Sequence, residues 1–338
     1  LNRAYKYFVY FIALLWTIMV LLDILFSLKI YNMILSQFLH VPFIVFIIIP
    51  IPVALFELPG MFTYYYMIFL LLLITAFFIY AILNLSSTKE NSAIFKIAEF
   101  FAFNLFLSIV YFEFINSIGQ PVHVPITTSV PFYINFYELT NAGLYEELIS
   151  RVLYIGIPLF LYYRYKGIRL PWYRMIWGGN YKLGKPEITV WIISSLIFGT
   201  AHSTAWDWSK TPQAMLGGFL LGYLYLRYGL FADVLFHYSI DASDAILTTA
   251  LGSPVATSST QGILGLEYLV FIFGGAVVTG NYIYLFVTGK YKDGQNKNEG
   301  IKISQFPICP NCHSTNATLI YDNIYKCNDC NTIFRKIN

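Results

Sequence analysis

Phe62 to Leu83 reads FTYYYMIFLLLLITAFFIYAIL, a run of 22 residues without one charge. A membrane-crossing helix needs roughly 20 consecutive apolar residues, because each helical residue advances about 1.5 Å through a hydrocarbon layer about 30 Å thick. Working outward, eight further segments read the same way: 8–28, 39–57, 94–115, 134–162, 187–203, 212–229, 231–251 and 268–289. The segment 39–57 carries Pro42, Pro50 and Pro52, and a membrane helix accepts such breaks only where neighbouring protein satisfies the freed carbonyls. Residues 116–133, with Pro121, Pro125 and Pro131, read as a loop or a re-entrant stretch.

Composition agrees with that reading. The chain is 57% hydrophobic and 12% charged, with mean hydropathy +0.61, where a soluble domain carries about 25% charged residues. A water-soluble fold is excluded. The net charge of +3 divides unevenly: residues 1–289 hold 14 basic and 14 acidic residues, and residues 290–338 hold 7 and 4. Scattered lysines make no basic face, so no nucleic-acid partner is expected. The first apolar stretch exceeds the h-region of a signal peptide and no small-residue cleavage site follows it, so it is expected to stay in the mature protein. The fold class is therefore an all-α polytopic membrane protein of eight to nine transmembrane helices.

Orientation follows from Lys and Arg. Arg164, Lys166, Arg169, Arg174, Lys182 and Lys185 stand in one loop without an acidic residue among them up to Lys185, which marks that loop as cytoplasmic. With nine spans the same face receives Lys29, Lys89, Arg227 and the C-terminal tail, while Arg3 and Lys6 fall on the wrong side. Either the first helix is an exception or the count is off by one.

Ionisable residues are costly at bilayer depth and mark function unless they are paired. In Glu146-Glu147-Leu148-Ile149-Ser150-Arg151, Glu147 and Arg151 are spaced i, i+4 and form an ion pair on one helical face. Glu146 points about 100° away and is left as the free carboxylate, suited to general-base work. Further along, Phe198 precedes His202 by one turn. Asp233, His237, Asp241 and Asp244 share a helical stripe that cannot face lipid. Gly218 and Gly222 form a small-xxx-small pattern that lets their helix approach a neighbour. Asp23, Glu99 and Glu113 are single acids that read as paired across helices or snorkelling rather than catalytic, and His40 and His123 as loop residues.

The order EExxxR, FxxxH and HxxxD, with GGFLLGYLYLRYGLFADVLFH between the last two motifs, resembles the CAAX-protease and bacteriocin-processing family of intramembrane endopeptidases, Rce1-like proteins among them. The resemblance covers roughly residues 94–250. It implies that Glu146 and His202 activate a water, that His237 with residue 241 stabilises the tetrahedral intermediate, and that Glu147, Arg151 and Phe198 support them. The substrate it implies is a membrane-associated peptide or protein, of the prenylated CAAX type or another anchored kind. A catalytic metal is left open: two His and one Glu could hold Zn²⁺, and a Glu/His pair can activate water unaided. Many relatives carry Asn where Asp241 stands. Either Asp241 is a neutral donor to the oxyanion, or it is an ionised partner of His237 in a site open to cytoplasmic water. Two other readings use the same residues, a transporter relaying protons along the Glu/His/Asp cluster and a catalytically silent membrane adaptor.

All four cysteines lie in the last 30 residues, as Cys309-x2-Cys312 and Cys327-x2-Cys330. Two thiolate pairs at this spacing make a zinc ribbon, a small β module too short to fold without its structural Zn²⁺. His313 reads as a bystander. Reduced thiols fit a cytoplasmic tail, and the ribbon is a candidate site for a protein partner. The expected organisation is N-terminal transmembrane helices over 1–93, a membrane core carrying the motifs over 94–289, a polar linker over 290–305 and the ribbon over 306–338.

Overall fold

The computed structural model describes residues 3–35, 41–46, 52–58, 60–86, 92–120, 132–168, 170–203, 207–252, 258–289, 308–312, 314–321 and 324–335. His40, His123, His313, most of the 116–133 segment and the 290–305 linker lie outside them. The chain is a polytopic helical membrane protein followed by a small antiparallel sheet bearing four cysteines.

The first helix, α1 (Arg3–Leu35), leads to β1 (Val41–Phe46) and β2 (Pro52–Leu58), and then to α2 (Gly60–Leu83) and α3 (Ala93–Ser117). A long rod follows, made of α4 (Phe132–Glu147), a π-helical stretch Leu148–Gly156 and α5 (Ile157–Tyr165). A short α6 (Tyr173–Trp177) lies within the basic loop. The remaining passes are α7 (Lys185–Ala201), α8 (Thr211–Arg227), α9 (Leu230–Gly252) and α10 (Ser258–Val287).

The expected span 39–57 is corrected. It is an antiparallel hairpin, with Val41 opposite Leu58 and Phe46 opposite Pro52. The physical reason is in the sequence: prolines lack the N–H a helix interior needs, and the β-branched residues between them favour extended backbone. Eight helical passes result among the described residues, so the first and last helices begin and end on one face. Side-chain contacts fix this alternation. At one face the starts of α1 and α3 meet the end of α10, where the Tyr5 hydroxyl donates to Glu99 at 2.6 Å, Lys96 pairs with Glu99, and Lys96 Nζ lies 3.5 Å from the Tyr282 hydroxyl. At the other face the end of α3 meets the start of α8, where Tyr111 donates to the Ser209 carbonyl and Gln213 to Ser108. Arg3 and Lys6 thus join the face of the basic loop, and Lys29 leaves it. The conflict with charge asymmetry came from counting a hairpin as a span.

Among the described residues, four helical stretches are long and apolar enough to cross a membrane by length and composition alone: Arg3–Leu28, Met61–Leu83, Ala93–Ser117 and Gly265–Val287. The other passes are shorter or carry the ionisable residues. Phe11, Leu14 and Leu25 on α1, Phe69 and Leu72 on α2, and Leu269 and Phe273 on α10 are exposed. Such an apolar exterior is stable only against lipid. Hydroxyls inside the passes return to their own helix, as Thr17 does to Ala13 and Thr75 to Leu71, each at 2.7 Å.

Tight packing positions the motif helices. A Cβ on Gly218 would lie 3.1 Å from Ser195 Cα, so the glycine lets α8 close on α7. The Trp191 indole donates to the Phe219 carbonyl across the same interface at 2.9 Å. Trp16 on α1 donates to Ser239 on α9 at 3.1 Å, and Ser243 lies 3.1 Å from Asp23. Asp23 is thus paired across helices, as its sequence position suggested.

The tail sheet has strands β3 (Ala317–Tyr321), β4 (Ile324–Cys327) and β5 (Ile333–Arg335) in that order, all antiparallel. Tyr325 and Phe334 stack at 6.1 Å, and Ser314 and Asn316 bond to Asp329.

Candidate active site

The rod, α7 and α9 bring four side chains together. Glu146 stands in the last turn of α4, just before the backbone passes into the π-helical stretch, a distortion often found at functional sites. Pro158, which has no N–H to give, stands just beyond that stretch. His202 caps the C-terminus of α7, and His237 and Asp241 sit one turn apart on α9.

Glu146 Oε2 lies 3.9 Å from His202 Nε2 and 4.0 Å from His237 Nε2. The same oxygen is buried without a hydrogen-bond partner among the described residues. Each imidazole is oriented through its other nitrogen: His202 Nδ1 is 2.8 Å from the Phe198 carbonyl, and His237 Nδ1 is 2.8 Å from Glu147 Oε1. Both Nε2 atoms therefore face the Glu146 carboxylate. One oxygen atom at hydrogen-bond distance from each group can bridge gaps of this size. The donor set also suits Zn²⁺. Asp241 Oδ2 is 3.3 Å from His237 Nε2.

Behind this group lies a closed support. Glu147 holds the Arg151 Nε at 2.8 Å with one oxygen while its other oxygen holds His237. Arg151 Nη1 donates to Ser194 Oγ at 2.9 Å, and Ser194 in turn donates to the Ser150 carbonyl at 2.5 Å. The Phe198 ring lies 5.0 Å from the guanidinium and 4.7 and 5.9 Å from the rings of His202 and His237. Asp233 is fully buried, with Oδ1 accepting from the Val234 N–H at 2.8 Å.

All seven motif residues thus fall in one cluster. Sequence reasoning assigned Glu147 to Arg151 alone, and missed that the same carboxylate orients His237. That bond joins residues 90 apart, so no helical spacing announces it. Ser194 was missed too; its only signal is a pair of serines, Ser194 and Ser195, inside an apolar helix. Lys210, at the turn before α8, was also missed. It lies close enough to Asp244, Asp241 and Glu146 for their charges to interact.

In the tail the four cysteine sulfurs lie within 4.8 Å of one another, with Cys309 and Cys330 at 3.5 Å and Cys312 and Cys327 at 3.4 Å. Four sulfurs about 2.3 Å from one tetrahedral ion stand close to these separations, so the cluster fits a metal such as zinc. The Cys309 N–H donates to Ser314 and the Cys327 N–H to Thr332, folding each knuckle around its thiols.

Residues 128–243 match the family described as type II CAAX prenyl endopeptidase, Rce1-like. The match covers 116 of the 338 residues, and over that stretch the chain is similar to this family of CAAX-type endopeptidases. The match is narrower than the 94–250 read from sequence and spans every motif residue in the membrane. Comparisons with curated proteins and with solved structures give no match.

Proposed function

We propose that the Rce1-like domain hydrolyses a peptide bond of a membrane-associated substrate, with Glu146 and His202 activating the water and His237 with Asp241 stabilising the tetrahedral intermediate. The observation that carries this reading is the single unbonded carboxylate oxygen of Glu146, about equidistant from two imidazole Nε2 atoms. An unpaired acid in an apolar site is costly unless chemistry needs it.

In this mechanism Glu146 takes the proton of the attacking water and later returns it to the leaving amine. His202, its Nδ1 tied to the Phe198 carbonyl, presents Nε2 to the same water. His237, tied by Nδ1–H to Glu147, aims Nε2 at the place where negative charge develops on the carbonyl oxygen. Asp241 supports that imidazole. Glu147, Arg151 and Phe198 are positioning residues. The tail is a zinc ribbon in which Cys309, Cys312, Cys327 and Cys330 hold a structural ion, and it serves as a docking module for a protein partner.

Purified full-length protein in detergent, incubated with farnesylated and unmodified membrane-anchored peptides, tests the reading by mass spectrometry of the products. Cleavage at one defined bond, absent from Glu146→Gln, is the expected result. No cleavage of any peptide, or equal cleavage by both proteins, overturns it.

A further inference from the structure

We infer that the loop between α5 and α7 is a binding surface for anionic phospholipid, which holds lipid phosphates on Arg164, Lys166, Lys182 and Lys185 with exposed tyrosine and tryptophan rings set among them. The inference does not depend on the endopeptidase reading, nor on which side of the membrane the loop faces.

From Arg164 to Pro186 the chain has six basic residues and no acidic one. The next acid, Glu187, is buried and turned inward, where it accepts from the Tyr163 hydroxyl and from the Gly184 N–H. Arg164, Lys166, Lys182 and Lys185 are exposed. Tyr162, Tyr165, Trp172, Tyr173 and Trp177 are exposed as well. The two kinds of side chain interleave, with Lys166 Nζ 5.9 Å from the Tyr162 ring centre and 5.7 Å from that of Tyr165. Tryptophan and tyrosine at the ends of membrane passes settle at headgroup level, where the apolar ring meets acyl chains and the polar edge stays wet. The ends of α5 and α7 hold the loop at that level. A bilayer covers the five rings, and the charge then selects the lipid: each basic side chain near an anionic surface contributes roughly a fivefold preference for it.

A second observation is that the loop is fixed to the helices beneath it. Gly178, Gly179 and Asn180 have φ of 59°, 76° and 54°, a turn that brings the chain back along the end of α8. There the N–H groups of Gly179, Asn180 and Tyr181 donate to the carbonyls of Tyr225, Arg227 and Leu226 at 2.8, 3.0 and 2.9 Å. Arg227 Nη1 returns a bond to the Tyr181 carbonyl at 3.0 Å. A Cβ on Gly178 would lie 2.7 Å from the Tyr225 carbonyl, so the turn needs glycine there. The Tyr225 hydroxyl donates to the Met175 carbonyl at 2.7 Å, and the Trp177 ring meets Phe77 of α2 edge-on at 6.1 Å. Rings and charges already held in place lose little freedom when a lipid arrives, which favours a retained lipid over a passing one.

Fluorescence of the loop tryptophans tests this in the full-length protein. Bilayer discs are made of phosphatidylcholine and phosphatidylglycerol in equal parts, with bromine on the acyl chains of one lipid or of the other. Bromine quenches tryptophan only at close range, and the difference between unaltered and Trp172→Phe/Trp177→Phe protein isolates the two loop residues. The expected result is stronger quenching of that difference signal by brominated phosphatidylglycerol, with the preference lowered about fivefold or more in Lys166→Gln/Lys182→Gln. Lys326→Gln/Arg335→Gln removes the same charge from exposed positions of the tail sheet and should keep the preference. Equal quenching by the two lipids without any charge substitution overturns the inference, and that comparison needs no charge variant to fold. A preference that survives Lys166→Gln/Lys182→Gln overturns it too. So does an equal loss in the tail variant, which would mean that net charge and not this surface selects the lipid.

Discussion

Two adjacent carboxylates, Glu146 and Glu147, belong to two halves of one polar cluster that are built differently. In the closed half Glu147, Arg151 and Ser194 exchange hydrogen bonds along the chain His237–Glu147–Arg151–Ser194–Ser150, all of it buried. In the open half Glu146 faces two imidazoles at 3.9 and 4.0 Å and bonds to neither. A chain of buried hydrogen bonds in low dielectric is expensive to disturb, while a carboxylate that bonds to none of its neighbours has bonding capacity left for a reactant. On the endopeptidase reading, the closed half holds geometry and the open half is left for chemistry.

Breaking the open half should give the largest effect. Glu146→Gln keeps shape but cannot accept a proton, so turnover should fall by about 10² to 10⁴-fold with unchanged yield and thermal midpoint. Near-normal turnover in a peptide-cleavage assay would merge the two halves into one structural cluster.

In the closed half the loss should appear as stability. Glu147→Gln strands Arg151 as an uncompensated buried charge and loosens His237, at a cost of about 3–5 kcal/mol. Thermal unfolding in detergent reads this directly, and a midpoint equal to that of the unaltered protein would sink it. Ser194→Ala removes one acceptor from the guanidinium and should cost about 1–3 kcal/mol, with KM unchanged.

These halves were only partly legible beforehand. The i, i+4 rule separated Glu146 from Glu147 correctly, because pairing within one helix is a matter of spacing. It could not reveal that Glu147 reaches across to α9, or that Ser194 on α7 accepts from the arginine, since those contacts depend on how helices pack. Hydropathy marked the eight helical passes but also counted the 41–58 hairpin, because a window average is blind to backbone geometry and Pro42 and Pro52 score like any other residue. The π-helical stretch left no mark either: a change of hydrogen-bond register between Leu148 and Gly156 alters neither composition nor apolarity. Tyr173–Trp177, too short to show a period, was absorbed into the basic loop.

Asp241 lies at the border of the halves and sharpens the comparison. Its carboxylate is 3.3 Å from His237 Nε2, while Glu147 already fixes the other nitrogen of that ring. That placement favours the partner of His237 over the neutral oxyanion donor. Because Glu147 keeps the ring oriented, Asp241→Asn should lower kcat by only about tenfold or less with KM unaltered, the signature of an interaction made in the transition state. A loss as deep as that of Glu146→Gln would move Asp241 into the water-activating group, and unaltered kcat would make it a packing position.

The smallest effect on turnover should come from the tail, and a null result there is informative because two separate metals are at stake. Its sulfur cluster, its knuckle hydrogen bonds and its Tyr325–Phe334 stack are internal to the tail, and a polar stretch over 290–305 joins it to the membrane helices. By the chain's alternation α10 also ends on the face of Lys96 and Glu99, away from the end of α7 that carries His202. Truncation after Tyr291 should therefore remove bound zinc and leave peptide cleavage at the full-length rate, read by metal analysis and turnover on the same sample. Loss of turnover would mean that the ribbon shapes the site, contrary to its placement. Chelation then completes the argument. If Glu146 and His202 activate water unaided, a chelator should strip zinc from the full-length protein without slowing cleavage. If the truncated protein is active until a chelator is added, the metal lost must have come from the membrane, and Glu146, His202 and His237 would be its ligands in place of a bare general-base site.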